Sequence, residues 1–139
     1  MLTQVHEHIV SELQQNARTD TIFVVTAIAF NLIVLAINSA VASEAADSHA
    51  NTSQDLILGV FIIMSLLVNS IAVSALNFGR LTRGKLISGL LAMYRDNEVI
   101  QYYDASLVTS YSKRYMLFIG VILCLAATGI IVPLIIRIV

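Results

Sequence analysis

Charge is scarce in this chain. Asp, Glu, Lys and Arg make up 12% of its 139 residues, about half of what soluble domains carry. Hydrophobic residues reach 58%. Three long apolar stretches, Thr21–Ser43, Leu56–Phe78 and Tyr115–Val139, are almost free of charge. Each is longer than the roughly 20 residues that a helix needs to cross about 30 Å of hydrocarbon. A soluble fold of this length could not bury three such stretches, so that class is excluded.

Cysteine is nearly absent as well. Cys124 is the single one and lies inside the third stretch. An intramolecular disulfide is impossible, and cysteine usage does not report the compartment. Its sequence neighbours are apolar, which is the setting of an inert small side chain. The motifs of common chemistry are missing: there is no HExxH, no CxxC, no glycine-rich phosphate loop and no GxSxG. His6 and His8 stand two apart, on different sides of any helix, and His49 lies beyond the first apolar stretch. No metal, no cofactor and no enzyme activity are therefore expected, and no nucleic acid partner. The polar start, Met1–Asp20, lacks the short apolar core of a cleavable signal.

The few charges are segregated. Arg80, Arg83, Lys85, Arg95, Lys113 and Arg114 lie between the second and third stretches. The short connection Glu44–Asp55 holds Glu44, Asp47 and Asp55 and no Lys or Arg. By the positive-inside rule the basic segment is cytoplasmic. The expectation is a multi-pass protein of the cell membrane with its N-terminus in the cytoplasm and its C-terminus outside. Arg18 agrees with this and Arg137 does not. Asn51-Thr52-Ser53 matches a glycosylation acceptor pattern on the expected outer side.

The fold expected is all-α, one membrane domain over 1–139, with transmembrane helices at 21–43, 56–78 and 115–138. Leu2, Val5, Ile9 and Leu13 give residues 1–19 an amphipathic helical stripe. No Gly or Pro interrupts Leu2–Ser43. An unbroken helix is thus as well supported as an interfacial helix and a turn, with Asp20 or Thr19 as the next cap. In the basic segment 79–114, Leu86, Ile87, Leu90, Leu91 and Tyr94 recur at helical spacing. This predicts a helical loop lying in the membrane interface, ending near Asp96-Asn97 and followed by a short helix from Val99 to Tyr111. Of the five tyrosines, Tyr94, Tyr102, Tyr103 and Tyr111 fall here and Tyr115 follows directly; they read as an inner aromatic belt. Pro133 is expected to kink the third helix.

Polar residues within the apolar stretches carry the functional reading. Asn31 and Asn38 are seven apart and point the same way within roughly 20°. Asp20 and Ala27 join that stripe. Helix two brings Ser65 and Asn69 on one side, and Ser70, Ser74 and Asn77 on another. An unpaired carboxamide in hydrocarbon costs several kcal/mol, so the Asn31 face should avoid lipid. Either the amides join helices as polar glue, or they line a water path around the axis of a homo-oligomer. In the second case Asp20, Asn31, Asn38 and Asn69 would line the path, and Glu44, Asp47 and Asp55 would form an acidic outer vestibule favouring cations. A coupled transporter fits less well, because the helix centres hold no ionisable residue. The leading expectation is a homo-oligomeric, cation-permeable channel-like protein. The alternative is a non-conducting scaffold that uses Arg80, Arg83, Lys85, Tyr94 and Arg95 to dock a cytoplasmic protein partner or membrane lipids of negative charge.

Overall fold

A computed structural model of the chain describes residues 2–47, 52–104 and 106–138. These form three long helices: α1 (Leu2–Asp47), α2 (Thr52–Asp96) and α3 (Ser106–Ile138). A single 3-10 turn, Ile100–Tyr102, joins α2 to α3. The fold is all-α, and each helix contains a stretch long and apolar enough to cross a membrane.

The helices alternate in direction, so the N-terminus of α1, the C-terminus of α2 and the N-terminus of α3 share one end. That end holds the six clustered Lys and Arg residues and is called the basic end here; the other is the acidic end. Buried positions recur at alternating steps of four and three. On α1 they are Asp20, Val24, Ala27, Asn31, Val34 and Asn38; on α2 they include Ser65, Asn69, Ala72, Leu76 and Gly79; on α3 they include Tyr115, Ile122, Ala126, Gly129 and Pro133. A period of 3.5 keeps one seam facing its neighbours and is the pattern of left-handed bundle packing. Small residues in the seam let backbones approach, which matters where lipid removes the hydrophobic drive between helices.

One open alternative is decided and two expectations are corrected. First, α1 is one unbroken helix from Leu2, so neither Asp20 nor Thr19 is a cap. The Thr19 hydroxyl instead bonds back to the Gln15 carbonyl at 3.0 Å. Second, α2 does not stop at Phe78, and residues 80–96 leave the apolar stretch along the helix axis rather than lying flat. Gly84 and Gly89 each cost about 1 kcal/mol of helix propensity. Burial of Ile87 and Leu90 offsets that cost. Third, Val99–Tyr111 forms no helix of its own; α3 already begins at Ser106.

α1 and α2 stay in antiparallel register over this extension. The His6 ring lies 5.8 Å from that of Tyr94, and the Asn31 amide pairs with Asn69. The same number of residues separates the two positions on each helix.

α2 ends in a tight cap. Val99 N–H donates to the Tyr94 carbonyl at 2.9 Å and Glu98 N–H to that of Arg95 at 3.1 Å. These are the two bonds of a Schellman motif, which requires a left-handed residue. That residue is Glu98, at φ 59°, where glycine is usual. At the start of α3, the Asp104 carboxylate accepts the Ser106 N–H at 2.8 Å. This bond holds the Asp104 carboxyl below its ordinary pKa. A depressed value means the cap is intact at neutral pH and is lost as pH falls through the lowered pKa.

Left-handed backbone costs a residue with a Cβ about 1–2 kcal/mol. Glu98→Gly is therefore expected to raise the unfolding temperature in detergent, and Glu98→Val to lower it. Equal stability of the two variants would show that the cap does not hold this turn.

Candidate functional site

The polar residues of the seam form three layers. At the basic-end boundary, Asp20 is buried where all three helices meet. The Tyr115 hydroxyl donates to its Oδ2, and the Asn16 amide donates to the same atom at 3.3 Å. Asn16 also donates to the Gly79 carbonyl at 3.1 Å. Gly79 is part of this joint, because a Cβ there would overlap the Asp20 carboxylate. Asp20, Gly79 and Tyr115 each sit at one end of an apolar stretch, so a single cluster ties the three helices at one membrane boundary.

About 17 Å further along α1, Asn31 and Asn69 exchange two hydrogen bonds, at 2.8 and 2.9 Å. Their exposures are 2% and 4%. Each amide also donates to the carbonyl four residues before it, Ala27 and Ser65, at 2.8 Å. Both amide hydrogens of each residue are thereby used.

The third layer is about 10 Å beyond. The Asn38 amide donates to the Gly129 carbonyl at 3.4 Å. Gly129 lies four residues before Pro133, which has no N–H. Asn38 thus serves the one carbonyl that the proline deprives of its helical donor. α3 continues through Pro133. Asn38 Oδ1 is buried and has no partner among the described residues, the weakest point of the seam.

No known protein family, curated protein or solved structure matches this chain.

The expected acidic cluster is partly engaged. Asp55 forms an ion pair with Arg137 at 3.0 Å, so the Arg137 charge at the acidic end is balanced there. As a half-exposed pair it is worth about 0–1 kcal/mol. Glu44 is exposed and does not lack contacts. The Asp47 side chain and Asn51 lie outside the described residues. Ser70, Ser74 and Asn77 face away from the seam, on the outside of the bundle.

At the basic end the predicted docking residues divide into two levels. Arg80, Arg83 and Lys85 sit next to the apolar boundary, with Tyr111 and Tyr115. The Arg83 guanidinium lies over the Tyr111 ring at 4.2 Å, a cation–π contact. Tyr94 and Arg95 stand at the far tip. There His6, Tyr94 and Tyr103 stack in a row, with centroids 5.8 and 6.2 Å apart. Burial and the neighbouring Tyr111 and Tyr94 raise the Tyr103 pKa. The five tyrosines therefore do not make one belt: only Tyr111 and Tyr115 lie near the boundary. Shallow grooves of about 250 and 330 Å³ at the tip are lined by Leu2, Val5, Met93 and Asn97 with their neighbours.

Two double-mutant cycles test the seam. Asn31→Leu or Asn69→Leu alone leaves a buried amide unpaired, at about 1–3 kcal/mol. The double variant is expected to cost less than the sum, with a coupling of about 0.6–2 kcal/mol. Additive losses would mean the amides are not paired. Likewise, Gly79→Ala should destabilise the native protein but not the Asp20→Ala variant. Equal losses in both backgrounds would remove Asp20 from the contact.

Proposed function

We propose that the chain is a non-conducting subunit of the cell membrane that docks a soluble protein through its basic-end tip. The N-terminus is cytoplasmic and the C-terminus outside in this reading, following the segregation of Lys and Arg. The observation that carries it is an exposed apolar surface about 20 Å or more beyond the ends of the apolar stretches. Met93 lies about 21 Å beyond Gly79 and Leu2 about 27 Å beyond Asp20. Head groups extend only about 5–8 Å past the hydrocarbon. Leu2 is 57% exposed and Tyr102 83%, and Val5 and Val99 add to the same surface. Clustered apolar groups in water mark an interaction surface, and exposed tyrosines are favoured anchors. The extensions of α1 and α2 carry that surface beyond the apolar stretches.

The competing reading is a homo-oligomeric cation path lined by Asp20, Asn31, Asn38 and Asn69. Its polar atoms are largely engaged inside one protomer. Turning Asn31 and Asn69 toward an axis would break two buried hydrogen bonds per protomer, which weighs against it.

Purified protein in planar bilayers is expected to pass no current. Affinity capture from membranes of the source cell should yield a soluble protein in stoichiometric amount. Met93→Glu and Tyr102→Glu should release it, while Leu123→Ala, on the outer face of α3, should not. Cation currents abolished by Asn31→Leu would favour the channel, and capture indifferent to the tip variants would remove the docking surface.

A further inference from the structure

A groove of about 610 Å³ opens between α2 and α3 directly beyond the apolar boundary. Arg80, Arg83 and Lys85 line it from α2 and Tyr111 from α3, with Leu81 and Ile87 supplying apolar walls. No carboxylate is among its described lining residues. We infer that this groove seats the head group of one anionic phospholipid of the adjoining leaflet, with its phosphate against Arg83 and Tyr111.

Depth is the first argument. Arg83 is one turn past Gly79, and Tyr111 is one turn before Tyr115. Both therefore stand about 6 Å outside the hydrocarbon, within the head-group layer. Charge is the second. Three cations line a groove whose described lining holds no acid, and Arg83 Nε is buried with no hydrogen-bond partner among the described residues; on its other side Arg83 lines a second cleft with Asp20 and Tyr115. The Tyr111 ring holds the guanidinium at 4.2 Å, and a guanidinium is a planar fork suited to phosphate oxygens. Shape is the third. The groove opens at the end of the apolar stretches, and the exposed Leu81 on its wall is an apolar contact that a lipid can cover and a soluble anion cannot.

The inference rests on the chain being a membrane protein and not on the docking of a soluble partner. It can be tested without one. Full-length protein in neutral detergent is presented with equal phosphatidylglycerol and phosphatidylcholine, and bound lipid is counted by native mass spectrometry. Phosphatidylglycerol should be retained at least about fivefold over phosphatidylcholine, as expected for even one engaged cation. Arg83→Gln should bring the ratio close to parity. The Arg80→Gln/Lys85→Gln pair, which replaces exposed residues and spares the fold, should lower it severalfold. Arg95→Gln, at the tip, should leave it unchanged. Equal retention of the two lipids would overturn the proposal. So would an Arg95→Gln loss equal to that of Arg83→Gln, or displacement of phosphatidylglycerol by excess inorganic phosphate.

Discussion

A polar group in hydrocarbon has to find its partner inside the protein, and that requirement organises this chain. The bilayer core offers no water to an amide or carboxylate. Each polar residue of the α1 seam is therefore matched to one definite group: Asp20 to Tyr115, Asn31 to Asn69, Asn38 to Gly129. Apolar packing between lipid-embedded helices has little preference for one register over another. The polar layers remove that degeneracy, since a slip of a single residue would strand several buried groups at once. The layers tie α1 to α2 in the middle, α1 to α3 toward the acidic end, and all three helices at the basic end.

From the basic-end joint the bundle continues outward as a stalk, and distance from the membrane divides its surface into two kinds. The neck, within about two to three turns of Gly79, has basic side chains and a cleft between α2 and α3. The tip, about 20 Å or more away, has exposed apolar and aromatic groups. A flat interfacial helix would have put all of these residues at one depth. The unbroken α2 separates them, so Lys85 and Arg95 belong to different surfaces although they share one basic segment of sequence.

Much of the seam was legible beforehand. The spacing of Asp20, Ala27, Asn31 and Asn38 identified the face of α1 that turns from lipid, and those four residues are buried. Their partners were less legible. Asn69 and Asn77 are both carboxamides on α2, and only the antiparallel register decides that Asn69 meets Asn31 while Asn77 faces outward. The tie between Asn38 and α3 had a signal that went unused: a proline at 133 exposes the carbonyl at 129, and some donor must serve it. The upright extension of α2 was less legible, because the helical spacing of Leu86–Tyr94 fits a flat interfacial helix as well, and Gly84 and Gly89 lower helix propensity there. Propensity lost to the burial of Ile87 and Leu90, as it commonly does in a packed helix.

Composition and spacing by themselves determined that this is a three-helix membrane protein, and which face of its first helix is polar. Those properties follow from local arithmetic: the length of an apolar run against the thickness of a bilayer, and the helical angle between residues. The tertiary structure alone decided that the polar face is closed against Asn69, Tyr115 and Gly129, and that the basic segment stands upright as a stalk. A hydrogen bond between residues 38 or 95 positions apart depends on how the helices are aligned. No local rule of spacing contains that alignment.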